Sequence, residues 1–424
     1  MKTDRKPVTI EEAIERIVSR SSPGKAITVS LEKADFLHLA EDIVADHHVP
    51  MFDRSMYDGF AVKAADTQQA EPDAPKRLRV IESIPAGKEA QGSLQSGTAM
   101  RIMTGAAIPP GADAVLMLED VREGNDEDGS YIEVTSPVSP GSHISHRGED
   151  ITAGMVLAKI GRRIGPGEKA VLATFGYHQV KVYQPPEVAI LATGSELLPV
   201  DAPLVPGKIR NSNSYMVETQ LRRMGAVPKP LGIIKDDFEA CYQAVTTALE
   251  EADFVVTTGG ASVGDYDFVQ ALIERLDAEV LFNKVAMRPG SVTTVAKKGE
   301  KWLFGLSGNP AACFVGVELF VRPVLKKAMG AQHLHLPQIS ATLAVDITTT
   351  NPYTRLMRAR TELHQGQLVV RPVGLDKSSI ISGLLEANSL LMIPGGEQTY
   401  HRGEKVNVIW LEEEGMCHGS TARS

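Results

Sequence analysis

Apolar residues at Ile10, Ala13, Ile14 and Ile17, following Thr9 and with Glu11 and Glu12 in the first turn, predict a helix over 7–20. Residues 28–31 are strand-like, and 34–43 returns to helical spacing ahead of Pro50. From Met51 to about Pro140 the rhythm changes. Short Val/Ile/Leu runs at 78–81, 98–103, 114–118 and 131–134 alternate with Gly and Pro turns, which predicts a small β-rich domain. The acidic stretch from Gly124 to Gly129 reads as a solvated loop. A further strand, turn and helix series fills 142–183 and ends at the stiff pair Pro185-Pro186.

Beyond that pair, apolar strands alternate with helices. Strands are predicted at 188–193, 230–234, 254–258, 280–285, 292–295 and 302–305. Helices are predicted at 214–224, with Asn213 as N-cap and Gly225 as stop, and at 238–251 and 267–276. A long helix is predicted at 310–329, kinked at Pro323. Alternation of this kind predicts a parallel, doubly wound sheet flanked by helices. The last segment is short strands only, at 339–345, 358–363, 367–373, 389–393 and 406–410, which predicts a small β-barrel. The expected organisation is a multidomain α/β protein. Residues 1–50 with 141–184 form an elongated N-terminal domain around a β-rich insertion at 51–140. An α/β domain at 185–332, a barrel at 333–412 and a frayed polar tail at 413–424 follow.

Composition narrows the function. Of 424 residues, 44 are Lys or Arg and 53 are Asp or Glu, a formal charge of −9 without basic blocks. Nucleic acid, bound through its phosphates, is a poor partner for such a chain. Aromatics at 5 % offer few stacking platforms. No apolar run approaches a membrane span, and the polar start Met1–Ile10 lacks a signal-peptide core, so the expected address is the cytoplasm. Cys241, Cys313 and Cys417 are too few and too scattered for a disulfide framework or zinc site, and the first two lie in apolar helical patterns that suit a core. His47, His48, His143 and His146 match no metal-ligand spacing and read as surface.

In an open α/β sheet, ligands bind beyond the carboxyl ends of the strands. The first predicted strand ends in Thr193-Gly194-Ser195-Glu196, where hydroxyls and free N–H groups can meet a phosphate; alone, an ordinary turn explains it. The second ends in Asp236-Asp237, either a helix N-cap or a seat for a hard cation such as Mg2+. The third ends in Thr258 to Asp267, whose Gly259, Gly260 and Gly264 with Ser262 make a phosphate cradle closed by Asp265 and Asp267. The spacing fits neither a Walker loop nor a dinucleotide fingerprint. Lys284 and Arg288 are a candidate anion clamp, or a solvated cationic edge. Ser307-Gly308-Asn309-Pro310 opens the long helix, with Asn309 as cap and N–H groups suited to an anion. Ser55 to Gly59 and Arg147 to Asp150, taken singly, read as polar turns.

Taken together and in order, these motifs resemble the MoeA family of molybdopterin molybdenumtransferases, similar to the E domain of gephyrin and of the plant enzyme. The resemblance covers about residues 5–412. It rests on Ser55–Val62, Met103–Ala106, Arg147–Asp150, Thr193–Leu197, Gly207–Asn213, Gly232–Asp237, Thr258–Asp267, Arg288–Gly290 and Gly305–Pro310. It implies a molybdopterin-binding-like central domain and insertion of molybdate into adenylylated molybdopterin with release of AMP. It also implies dependence on Mg2+ and an elongated homodimer of four-domain subunits, in which the α/β domain of one subunit meets the N-terminal domains of the other. A molybdopterin adenylyltransferase upstream and molybdoenzyme maturation factors downstream are the implied partners.

By motif position the resemblance implies catalytic roles for Asp58, Asp150, Glu196, Asp236, Asp267, Lys284 and Arg288. Asp236, Asp267 and Glu196 are the implied metal ligands. Substrate contacts fall on Thr193, Gly194, Ser195, Gly259, Gly260, Ser262, Ser307, Gly308 and Asn309, with Arg360 and Ser378 at the molybdate and pterin end. The chain departs from the usual pattern at Ser291, where a lysine is common, at Arg288, at Ser307, and over Gly374–Ser378, all around the anion site. A paralogue preferring tungstate and a non-catalytic pterin-binding scaffold stay open. An adenylyltransferase, essentially an α/β domain alone, does not match a chain with some 185 residues before that domain and about 90 after it.

Overall fold

The computed structural model describes residues 6–235, 237–259 and 268–411. The chain divides into two compact units. The larger holds the described residues up to Glu41, Ile160–Lys169, and those from His178 onward; the smaller holds Asp42–Lys159 and Ala170–Tyr177.

In the larger unit the first helix runs Ile10–Ser19, capped by Thr9, whose hydroxyl accepts from the Glu12 N–H, and it buries Ile10, Ala13 and Ile17. The helix expected over 34–43 does not form. Phe36 takes a positive φ of 63°, and Leu39 instead bridges Val182 and donates its N–H to the Arg162 carbonyl at 3.0 Å. A pairing with chain more than 120 residues away overrides a local periodicity that was real.

Among the described residues the central sheet has the order Val227–Ile234, Glu187–Thr193, Phe254–Thr258, Lys301–Leu306, Thr294–Lys298, Glu279–Phe282. The first four strands are parallel, and the last two add an antiparallel edge. Strands buried on both sides carry unbroken apolar runs. Val188, Ile190, Val256 and Phe304 face the helices Asn213–Met224 and Pro310–Gly316. Ala189, Leu191, Val255 and Leu303 face Phe238–Glu251 and Phe268–Arg275. Cys313 is fully buried there, and burial pushes its thiol up to about 12, the behaviour of an inert core residue.

At the expected kink, Pro323, the helix widens in the turn just before the proline. Val317–Val321 is π-helical between Pro310–Gly316 and Arg322–Ala328, and the Arg322 N–H reaches the Val317 carbonyl. Proline has no N–H to offer the preceding turn, and the helix opens there by one residue.

The C-terminal strands Gln338–Leu343, Thr354–His364, Gln367–Pro372, Ser389–Ile393 and Lys405–Trp410 close on themselves as a five-stranded barrel. The ring is closed by pairing of Thr354–His364 with Ser389–Ile393, while Met287–Arg288 adds a short parallel edge at Thr354 and Arg355. In the smaller unit the sheet order is Ala114–Met117, Gly59–Val62, Thr98–Ile102, Lys76–Ile84, Gly129–Val134, Val121–Asp126. The stretch from Gly124 to Gly129 is thus a hairpin rather than a solvated loop. Arg79 pairs with Asp126 at 2.6 Å and Arg77 lies 3.9 Å over the Tyr131 ring, so cations on the neighbouring strand offset its acidity.

Candidate functional site

Strand register brings the carboxyl ends of the four parallel strands side by side. Thr193 lies opposite Ile234, Ala192 opposite Thr258, and Thr258 opposite Leu306. The approach is close. The Gly259 N–H donates to the Leu306 carbonyl at 3.1 Å, and a Cβ at Gly259 would stand 2.2 Å from the Thr193 carbonyl oxygen at a φ of 97°. Only glycine fits there. Gly308 packs against Gly259, its notional Cβ 3.5 Å from the Gly259 Cα. Glu196 folds back over Gly194, with both carboxylate oxygens 2.7 Å from where a Gly194 Cβ would sit. The Lys208 ammonium donates to the Ser195 carbonyl at 2.5 Å.

Three buried polar atoms around these strand ends have no hydrogen-bond partner among the described residues: Thr193 Oγ1, Thr257 Oγ1 and Asn213 Oδ1. Leaving such atoms buried and unpaired costs about 1–3 kcal/mol each, which makes them natural contacts for a bound polar ligand. Asn213 is not the cap the sequence suggested. It lies inside its helix, donates through Nδ2 to the Gly308 carbonyl at 2.9 Å, and leaves the capping bond to Asn211, whose Oδ1 accepts from the Ser214 N–H at 3.2 Å. Asp237 does cap its helix, accepting from the Ala240 N–H at 2.8 Å. Asn309 occupies the cap position of Pro310–Gly316 without a side-chain cap bond, while Ser307 Oγ accepts from the Asn309 N–H at 3.2 Å.

Segments far apart in sequence converge beside that helix start. The Ala311 N–H donates to the Ser378 carbonyl at 3.1 Å, which fixes the barrel turn carrying Ser378 to the Ser307–Asn309 loop. A Gly290 Cβ would lie 3.4 Å from the Ala312 carbonyl oxygen, and Arg288 pairs in register with Arg355 of the barrel. Arg288 is exposed and Lys284 half-buried, its carbonyl accepting from the Val8 N–H at 3.1 Å. Arg360, partly exposed, pairs through its Nε with Glu362 at 2.9 Å.

The residues that shape the Ser378 turn are ones the sequence reading missed. Arg355 pairs with Asp376, and Arg358 donates to the carbonyls of Leu375 at 2.7 Å and Lys377 at 3.2 Å. Burial pushes the Arg358 guanidinium down from the ordinary arginine range, and Asp376 opposes that shift. An Arg-x-x-Arg spacing on a strand with an acid 18 residues beyond the second arginine was the available signal.

In the smaller unit, Ser55–Gly59, Met103–Ala106 and Arg147–Asp150 gather around one strand pair, Arg54–Ser55 with Ile144–Ser145. Asp58 Oδ1 accepts from both the N–H and the hydroxyl of Thr104 at 2.7 Å, and these bonds hold its carboxyl below the usual aspartate value. Asp53, absent from the sequence reading, accepts from the Arg147 N–H at 2.7 Å, which lowers its carboxyl too. Asp150 is placed by its N–H bond to the Val49 carbonyl at 3.1 Å.

Asp236, Gly260, Ser262 and Asp267 lie outside the described residues, as do Cys417 and the tail from 412. Among the described residues no three His, Cys, Asp or Glu side chains cluster as a metal site. Of the expected Mg2+ ligands Glu196 is described, and its carboxylate at a strand end suits a hard cation in donor type. A separate cavity of about 450 Å3, lined by Lys25, Asp253, Phe254, Glu300 and Trp302, opens at the opposite, amino ends of the strands and contains none of the candidate residues.

Family models match in chain order. They are the MoeA N-terminal region (domain I and II) over 8–176, the probable molybdopterin binding domain over 189–327, and the MoeA C-terminal region (domain IV) over 340–411. The chain is 48 % identical over 410 residues to a molybdopterin molybdenumtransferase of Bacillus subtilis, covering 97 % of this chain and 95 % of that protein. The chain belongs to the MoeA family. A Staphylococcus aureus molybdopterin molybdenumtransferase is 46 % identical, with 97 % of each chain covered. The crystal structure of a molybdopterin biosynthesis MoeA protein from Pyrococcus horikosii superposes with a TM-score of 0.83 at 32 % identity, over 96 % of this chain and all of that one. The MoeA architecture thus accounts for the sheet, the barrel and the inserted β-rich sheet described above. No helix among the described residues is long and apolar enough to cross a membrane.

Proposed function

We propose that this protein is a molybdopterin molybdenumtransferase, which inserts molybdate into adenylylated molybdopterin with release of AMP. The observation that carries the reading is the bond from the Ala311 N–H to the Ser378 carbonyl. It joins the barrel turn to the Ser307–Asn309 loop beside Arg288, within the same unit as the orphaned Thr193, Thr257 and Asn213 atoms. Whole-length similarity to proteins named for this activity supports it.

Both substrates are anions and the protein is acidic, so local cations and N–H groups must hold them. The close-packed glycines 259 and 308 let backbone approach a pyrophosphate, and Thr193, Thr257 and Asn213 offer hydrogen bonds that no described residue takes up. Lys284 and Arg288 offset charge at the oxyanion end. Glu196, with Asp236 and Asp267, would hold Mg2+, which when bound supplies charge neutralisation for the departing AMP. No side chain need act as a covalent nucleophile; orientation and charge stabilisation suffice. The same reading makes the protein a cytoplasmic homodimer, supplied by a molybdopterin adenylyltransferase and passing its product to molybdoenzyme maturation factors.

The test is AMP release from adenylylated molybdopterin by the purified protein with Mg2+ and low molybdate or tungstate. Oxyanion-dependent release is expected. Tight pterin binding without AMP release under either anion would overturn the transferase reading.

A further inference from the structure

We propose that Arg358 is the positioning residue of the oxyanion end: it shapes the turn that carries Ser378 and keeps behind it a positive charge that forms no ion pair among the described residues. The proposal deepens the transferase reading and rests on it. Arg358 lies on the strand Thr354–His364 and is only 3 % exposed. Its Nη2 donates to the carbonyls of Leu375 and Lys377, on either side of Asp376, so the turn is folded over the guanidinium. The chain returns flat across the same group, since a Cβ at Gly383 would lie 2.8 Å from Arg358 Nε and 3.1 Å from the Val373 carbonyl oxygen. The Nε itself is buried and unpartnered among the described residues.

Charge makes this more than a staple. Asp376, the acid of the turn, is engaged by Arg355, whose other terminal nitrogen donates to the Thr349 carbonyl at 2.7 Å. Arg358 forms no ion pair among the described residues, so two arginines share one carboxylate and the trio keeps a net positive charge. A cation shielded from water acts on a nearby anion more strongly than an exposed lysine does. Ser378, one residue beyond Lys377, has its carbonyl fixed by the Ala311 N–H. Ser378 is therefore held by a backbone anchored on both sides, by Arg358 at the Lys377 carbonyl and by the Ala311 N–H at its own. A lysine at 358 would keep the charge but lose the planar fork that spans two carbonyls.

The experiment compares full-length wild type, R358K and R358Q in AMP release over a molybdate series, with thermal unfolding followed in parallel. R358Q should raise the half-saturating molybdate concentration at least about ten-fold while the rate at saturating molybdate stays within about two-fold. R358K should fall between R358Q and wild type. A purely structural role would lower the saturating rate in step with thermal stability and leave half-saturation unmoved; that result, or an unchanged R358Q, overturns the proposal. If R358Q does not fold, R358K decides on the same readout. Wild type that releases no AMP with any oxyanion defeats the transferase reading instead. Arg358 is then judged by calorimetric titration with sodium molybdate alone: binding at least ten-fold weaker in R358Q upholds it, and equal or undetectable binding in both proteins overturns it.

Discussion

The strand ends of the central sheet and the Asp58 corner of the smaller unit are built from similar material, glycine turns with hydroxyls and acids, yet they treat their polar atoms in opposite ways. At the corner, folding satisfies them. Asp58 Oδ1 takes two bonds from Thr104, Ser55 Oγ donates to the Tyr57 carbonyl at 2.6 Å, and Asp53 receives Arg147. At the strand ends, Thr193 Oγ1, Thr257 Oγ1 and Asn213 Oδ1 are buried and unpaired among the described residues. A fold carries such a cost where another molecule completes the bonds. On the transferase reading proposed above, the corner is a framework that presents Asp58, and the strand ends are a receptor.

The largest expected break in this contrast comes from glycine. Gly259 and Gly105 both have positive φ, 97° and 81°. A Cβ at Gly259 meets the Thr193 carbonyl at 2.2 Å, whereas at Gly105 it finds nothing within 4 Å. Gly259→Ala should therefore combine backbone strain with a clash between two strand ends, at roughly 3 kcal/mol or more, and lower AMP release at least about a hundred-fold. Gly105→Ala should cost only the left-handed backbone penalty, about 1–2 kcal/mol. Urea denaturation of the two variants measures the difference, and equal midpoints would remove the close approach at Gly259 from the account.

A smaller but more telling effect is expected at Thr193. Replacing it with Val keeps the shape and removes a buried hydroxyl that is unpaired among the described residues. Thr193→Val should leave stability unchanged or raise it by up to about 1 kcal/mol, while AMP release falls. Thr104→Val, at the corner, should instead lower stability, because its hydroxyl is bonded to Asp58. If Thr193→Val instead destabilises the protein as Thr104→Val does, the strand ends are framework as well and the comparison collapses.

The same contrast explains what could be read from sequence. The central strands were legible because Val188–Ala192 and Phe254–Thr258 are buried on both sides and so carry uninterrupted apolar or small residues. Their carboxyl ends were legible because sheet topology fixes where ligands go, whatever the side chains do. What escaped was set by partners distant in the chain. Residues 34–43 keep a helical period but pair with Arg162 and Val182. The acidic Gly124–Gly129 stretch is a hairpin because Arg77 and Arg79 come from another strand. Arg355 and Arg358 look like edge cations until the barrel closes and puts the Asp376 turn over them. Asn213 follows the logic of a cap, but Asn211 makes that bond and frees Asn213 for the Gly308 carbonyl.

The smallest effect concerns Asp58 itself and shows how firmly the corner is satisfied. The Thr104 N–H, then its hydroxyl, favour the charged carboxylate and lower its pKa below the ordinary aspartate value, with Arg101 helping. A carboxyl lowered in the folded state contributes stability above its unfolded pKa and loses that contribution as pH falls through the folded pKa. The Asp58–Thr104 contact should therefore be intact at neutral pH and weaken only below the range where free aspartate protonates. Carbon-13 NMR of the Asp58 carboxyl should show a midpoint below that of an unstructured aspartate, and Thr104→Val should move it upward while leaving the backbone N–H bond and Arg101 as the remaining causes. A midpoint at or above the ordinary value would mean the carboxylate is not held by Thr104 in solution. The corner would then share the unsatisfied character of the strand ends, and the division of the molecule into framework and receptor would have to be redrawn there.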